Sequence, residues 1–108
     1  MHTSFESFVM SLPPASRALL EDIALFVQRN SPTNLSLTAV TALLSRTMPY
    51  LTHAEVEGLS YCAIRALQKS NAQMMKLQMA MQRENLVFTS VSNVLKTRHD
   101  TAKNSISN

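Results

Sequence analysis

The fold is decided by the last third of the chain, residues 72–108, which read AQMMKLQMAMQRENLVFTSVSNVLKTRHDTAKNSISN. Apolar side chains recur there every seven residues, with others offset by three, and this spacing places them on one face of a helix. Glu84, Arg98 and Ser105 occupy the same face, where a self-sufficient coiled coil keeps apolar residues. The pattern therefore predicts a long amphipathic helix that packs against a partner rather than forming a simple two-stranded zipper.

Local signals divide the first two thirds of the chain into further helices. Capping boxes begin at Thr3 and Thr52, and prolines separate the apolar runs between them. We predict a short helix bearing Phe5 and Phe8, then helices over Pro14–Arg29, Ser36–Thr47 and Thr52–Lys69. Ser70-Asn71 follows either as a turn or as an uninterrupted passage into the last helix, and the turn is favoured because Ser and Asn compete for backbone hydrogen bonds.

The composition agrees with a small helical protein. The 108 residues are 45% hydrophobic and include one glycine, four prolines and no tryptophan, which is typical of one mostly helical globular domain. We predict an all-α fold in which short N-terminal helices precede a helical hairpin with a long C-terminal amphipathic helix. The single domain would span residues 1–108, with an N-terminal helical extension over 1–49 and the hairpin over 52–108.

The residue types that carry chemistry are sparse. Cys62 is the lone cysteine, so it forms no intramolecular disulfide or zinc cluster, and core packing is its expected role. His2, His53 and His99 are scattered and have no accompanying catalytic motif. We therefore expect no enzyme activity, no catalytic, metal or cofactor-binding residues and no cofactor.

Positive charge is concentrated in the second half of the chain. The net charge is +3, and the basic residues after Ile64 are spread around the helical circumference instead of lining one face. A helix that reads DNA usually gathers them on one side, so a nucleic-acid partner is not expected. No run reaches the roughly 18 apolar residues of a membrane span, and the N-terminus lacks the plan of a signal peptide.

Residues 69–108 carry a further pattern. It comprises Lys69-Ser70-Asn71-Ala72, Met74-Met75-Lys76-Leu77-Gln78, Gln82-Arg83-Glu84-Asn85, Ser92-Asn93-Val94-Leu95-Lys96, Asp100, Ile106 and Asn108. In order and spacing this segment resembles the needle-subunit family of bacterial type III secretion systems, whose members are helix-turn-helix hairpins that stack into hollow polymers. The N-terminal helices predicted above have no counterpart in that family.

The resemblance implies that the C-terminal helix carries the contacts between subunits. The implied assembly or partner-binding residues are Met74, Leu77, Met81, Phe88, Val91, Ser92, Asn93, Val94, Leu95, Lys96, Asp100 and Ile106. The apolar members would be buried between subunits, and the polar members would fix the register. On this interpretation Leu95→Asp should abolish assembly and leave the front helices folded.

The expected function is that of a non-enzymatic needle- or rod-like subunit of a type III secretion system. The partner would be another copy or another secretion component, in a homo-oligomer or hetero-complex, and the protein would reach the cell surface or medium without a signal peptide. An alternative is a helical chaperone or co-chaperone of a secretion substrate in the bacterial cytoplasm. A third is a small DNA-binding regulator with a helix-turn-helix around Pro49–Thr52, although Glu55 and Glu57 would repel phosphates.

Overall fold

A computed structural model describes residues 5–68 and 84–107 of the chain. Within these residues there are six helices and no strand, so the predicted all-α class is confirmed. The helices are α1 (Phe5–Ser11), α2 (Pro14–Asn30), α3 (Leu37–Thr47), α4 (His53–Leu67), α5 (Glu84–Thr97) and α6 (His99–Ile106).

The helix starts follow from local chemistry. Pro14 occupies the first turn of α2, where its missing N–H costs nothing. The Ser36 hydroxyl accepts the Ala39 N–H at 3.2 Å and caps α3. At α4 the predicted capping box is confirmed, because Thr52 Oγ1 accepts the Glu55 N–H while Glu55 Oε1 accepts the Thr52 N–H. The box predicted at Thr3 lies outside the described residues.

Helix α4 lies at the centre of the fold. Its side chains are buried from Val56 to Arg65, apart from half-buried Glu57, and α2, α3 and α5 pack around it. One continuous cluster of buried apolar residues includes members of all six helices. The N-terminal helices and the C-terminal helices therefore share a single core.

Helices α4 and α5 form an antiparallel pair. Glu55 at the start of α4 contacts Arg98 just after α5, and Arg65 near the end of α4 contacts Glu84 at the start of α5. Helix α4 ends at Leu67 and Gln68 is extended, with φ −96° and ψ 127°, so the uninterrupted rod is excluded. The predicted helix end at Lys69 and the predicted turn at Ser70-Asn71 lie outside the described residues.

The predicted single helix through residue 108 is wrong, because the chain breaks at Arg98 between α5 and α6. Arg98 has φ −119° and ψ 26°, and its side chain is held by Glu55. The break turns α6 onto α2, where Ser16 Oγ donates to the Leu95 carbonyl at 3.2 Å. That carbonyl belongs to the last turn of α5, whose acceptors have no partner within the helix. The break thus coincides with tertiary contacts and not with a proline or a glycine.

Gly58 allows α4 and α5 to approach closely. A Cβ at this position would lie 2.9 Å from Val91 Cγ2 and 3.4 Å from the Val87 carbonyl oxygen. Val91 is fully buried and its β-branched side chain has little freedom to move. Gly58 therefore destabilises α4 by about 1 kcal/mol relative to alanine, but it allows α5 to pack closer to α4.

Gly58→Ala should lower the free energy of unfolding, by about 1–3 kcal/mol as in other overpacked cores, despite the better helix propensity of alanine. Urea denaturation followed by circular dichroism measures the change. In a Val91→Ala background, which removes the clashing methyl group, the same substitution should be neutral or stabilising. A higher melting temperature for Gly58→Ala in the wild-type background would contradict the close approach.

Candidate interaction surface

The structure separates the implied assembly residues into two groups. The apolar members in α5 and α6 belong to the chain's own core: Phe88 is 5% exposed, Val91, Val94 and Leu95 are 0% exposed, and Ile106 is 6% exposed. In this fold they are buried among the chain's own helices, and Phe88 stacks on Phe8 of α1. Met74, Leu77 and Met81 lie outside the described residues.

The polar members lie outside the core. Asn93, Lys96 and Asp100 are exposed, and Ser92 is half-buried. On α5 the exposed residues Leu86, Thr89, Asn93 and Lys96 are spaced by three or four, which places them along one side of the helix. We call these four residues the outer face; Leu86, at 60% exposed, is its apolar member.

The three polar residues on the otherwise apolar face all find partners within the chain. Glu84 Oε1 accepts from Arg65 Nη1 at 2.9 Å, Arg98 Nη1 donates to Glu55 Oε1 at 3.0 Å, and Ser105 Oγ donates to the Tyr50 hydroxyl at 3.3 Å. These three positions were predicted as exceptions to the apolar face, but their partners were not predicted. The available signal was that α4 and α5 each carry an acid near the start and a base near the end, so that antiparallel packing brings each acid to a base.

The two ion pairs also match the helix dipoles. Glu55 and Glu84 lie at helix N-termini, while Arg65 and Arg98 lie at helix C-termini. With respect to α4 and α5, each charge is therefore at the helix end where the aligned peptide dipoles favour it, although Arg98 is also the N-cap residue of α6. A parallel arrangement of the two helices would bring like charges together, so the pairs specify the antiparallel orientation.

Tyr61, Arg65 and Glu84 form a buried network. The Tyr61 hydroxyl donates to Glu84 Oε1 at 2.5 Å and accepts from Arg65 Nη1 at 2.8 Å. Burial, followed by the hydrogen bond to the Glu84 carboxylate, raises the pKa of Tyr61 well above that of a free phenol, so the hydroxyl remains a donor at neutral pH. The Arg65 guanidinium carbon lies 5.3 Å from the centre of the Phe5 ring. The network thus links α1, α4 and α5.

Cys62 is fully buried in the core, where it packs as a small apolar residue. Burial raises the pKa of its thiol well above the ordinary value. Because the pKa is raised in the folded state, the protonated thiol contributes its full stabilisation below about pH 8.5, the pKa of a free thiol. The free energy of unfolding decreases as the pH rises beyond that value.

We expect Cys62 to react with a thiol reagent at pH 8 at least about a hundredfold more slowly in the native protein than in urea, because reaction requires the core to open. The absorbance of the released chromophore measures the rate. Rapid native reaction, at the rate seen in urea, would mean that the thiol is accessible.

The described histidines make single, ordinary contacts. His99 Nε2 lies 3.1 Å from the Ala15 carbonyl, whereas its Nδ1 lies 3.6 Å from Asp100, which is beyond hydrogen-bond distance. His53 pairs with Glu57 one turn along α4. Among residues 5–68 and 84–107 no three His, Cys, Asp or Glu side chains converge on a possible metal position. None of the helices described is long and apolar enough to cross a membrane.

The alternative functions need surfaces of a different kind. A DNA-reading helix must lie exposed in a groove, but α4, the candidate recognition helix, is the central helix of the fold. A chaperone groove needs contiguous apolar surface. The large apolar side chains exposed in the described part of the chain are Met10, Leu25, Tyr50 and Leu86, and they come from four different segments.

Comparisons with known proteins give no relative. No protein-family model matches the chain, and neither the curated proteins nor the solved structures contain a match. Function is therefore inferred from the contacts, burial and charge of the chain itself, together with the resemblance of its C-terminal segment.

Proposed function

We propose that this protein is a non-enzymatic, needle- or rod-like assembly subunit of a bacterial type III secretion system. The observation that carries the proposal is the antiparallel pairing of α4 and α5, which is the hairpin topology that the resemblance implies. Three of the four polar residues implied as contacts, Asn93, Lys96 and Asp100, are exposed.

The proposed contact uses the outer face of α5 and leaves the core closed. Leu86 provides one apolar anchor, and Asn93 and Lys96 provide hydrogen-bond donors further along the same face. A narrow, largely polar helix face supports weak pairwise contacts. Such contacts become effective where many subunits add in the same way, because each added copy is then held by more than one neighbour.

Light scattering during size-exclusion chromatography over a range of concentrations tests the proposal. The mass of the wild-type protein should rise with concentration, and filaments should appear by negative-stain microscopy at the highest concentrations. Leu86→Ser/Lys96→Glu should give a smaller mass than the wild type at every concentration and no filaments, with a melting temperature close to that of the wild type because both side chains are exposed.

A matched control distinguishes a specific contact from a general effect of charge. Arg46 is exposed on α3, so Arg46→Glu makes the same change in charge away from the outer face and should assemble like the wild type. Assembly of Leu86→Ser/Lys96→Glu to wild-type size would show that the outer face is not the contact. If the wild-type chain stays monomeric at every concentration, the proposal of a self-assembling subunit is wrong.

A further inference from the structure

Helix α1 is held against the hairpin by aromatic contacts. The Phe8 ring stacks on Phe88 with the ring centres 4.4 Å apart and the planes 10° apart. Phe5 lies against the Arg65 guanidinium at 5.3 Å. Both phenylalanines are buried, at 9% and 3% exposed for Phe5 and Phe8. We call the surface formed by Tyr61, Arg65 and Phe88 the seat of α1.

The attachment of α1 depends on side chains. Within residues 5–68 and 84–107, the backbone hydrogen bonds recorded outside the helices do not join α1 to α4 or α5. Seven residues make about two helical turns, too short for a stable helix in water by itself. Helix α1 therefore needs the seat to remain helical, and the seat needs an aromatic pair to cover Phe88 and Arg65.

The link between α1 and α2 allows α1 to leave as a unit. The connection is Leu12-Pro13, directly before Pro14, and Pro13 is extended with φ −57° and ψ 153°. A residue that precedes proline favours extended conformations, so a straight link between the two helices is a low-energy state. Prolines carry no backbone N–H, and the Leu12 N–H donates to the Val9 carbonyl of α1 at 3.1 Å, so buried Leu12 would move together with α1 and keep this hydrogen bond.

We propose that α1 is exchanged between copies of this chain, so that the Phe5/Phe8 pair of one copy occupies the seat of the next. The proposal rests on the assembly function proposed above and names a second contact for it. Every contact that α1 makes with the seat within one chain can be remade between chains, and an exchange that passes from copy to copy does not close on itself. Phe88, an implied subunit contact, would then be buried by a neighbour's Phe8.

Competition with the copy's own α1 sets the condition for exchange. A segment joined by a short linker has an effective concentration on the order of millimolar, so each chain fills its own seat in dilute solution. Exchange between copies becomes more favourable where subunits are concentrated along a growing assembly. The exchange is therefore expected to depend on concentration.

Peptide binding by the full chain tests whether the seat accepts an α1 that is not its own. A fluorescent peptide of residues 1–12 should bind the Phe5→Ala/Phe8→Ala chain at least tenfold more tightly than the wild-type chain, whose seat is occupied. A peptide with Phe8→Ala should not bind. Absence of peptide binding by a Phe5→Ala/Phe8→Ala chain that retains its helical circular dichroism and a cooperative melt would overturn the proposal.

Energy transfer between whole chains tests exchange directly and does not require that variant to fold. A donor dye on Met10→Cys, which is exposed on α1, is mixed with an acceptor dye on Arg46→Cys, which is exposed on α3. Transfer between chains should rise with concentration and should persist when Leu86→Ser/Lys96→Glu is added to both chains. Transfer that disappears with the outer-face variant would show that α1 is not exchanged, while the outer-face contact would stand.

Discussion

Leu95→Asp should unfold the whole domain rather than release a single helix. Leu95 is 0% exposed and belongs to the one apolar cluster that includes residues from all six helices. The substitution removes a buried leucine side chain and places a carboxylate among apolar neighbours, and such a group must either ionise in the core or remain protonated without a partner. We expect a loss of about 4–5 kcal/mol or more, which is comparable with the total stability of many domains of this size.

The expected result for Leu95→Asp differs from the outcome that the sequence alone suggested, in which the front helices stay folded. The difference arises because α5 completes the core of the front helices. Far-UV circular dichroism and thermal melting measure the loss. Lys96→Asp is the matched control, since the next residue along α5 is exposed and should tolerate the same carboxylate. A cooperative Leu95→Asp melt within a few degrees of the wild type would contradict the observed core.

Glu84→Ala should lower the free energy of unfolding by about 3 kcal/mol. The Arg65 side chain is 6% exposed and has its ion-pair partner in Glu84, which is 21% exposed. Removing one member of a buried pair leaves the other charge without compensation, and this typically costs about 3–5 kcal/mol. The lower end applies because Glu84 is partly reached by water and because Arg65 keeps its contact with the Tyr61 hydroxyl.

A double-mutant cycle separates the ion pair from other effects of Glu84→Ala. Arg65→Met removes the buried charge and keeps an unbranched apolar side chain, so Glu84→Ala should cost about 1 kcal/mol or less in that background, as expected for a partner without a charge to compensate. Asn85→Ala is the control for the first turn of α5, because Asn85 is exposed. If Glu84→Ala lowers the free energy of unfolding by the same amount in the wild type and in the Arg65→Met background, the ion pair contributes nothing to stability.

The parts of the fold that were predictable depend on neighbours in sequence. Pro14, Ser36 and Thr52 each mark a helix start through a group within four residues, so the sequence contains the whole interaction. The break at Arg98 is different, because the side chains that contact the backbone and side chain there, Ser16 and Glu55, are 79 and 43 residues away from their partners. Within residues 84–106 the local sequence is that of one continuous helix, and only the fold of the whole chain interrupts it.

The candidate site shows the same limit. Periodicity predicted the apolar face of α5 correctly, but a periodic face does not specify whether the chain itself or another chain covers it. Phe88 and Leu95 were assigned to contacts between subunits and lie in the core, whereas Asn93 and Lys96 were assigned with them and lie outside it. Burial depends on α1, α2 and α4, whose positions follow from packing across the whole chain.

The contacts of the C-terminal segment with α2 bear on how the protein is made. Ser16 bonds to the carbonyl of Leu95, 79 residues away, and the Ala15 carbonyl lies against His99, 84 residues away. While a ribosome is still adding residues 84–107, α2 and α4 have no α5 or α6 to cover their apolar sides. The nascent chain therefore exposes the surfaces that promote aggregation, and it can close its core only after almost all of these 108 residues have emerged.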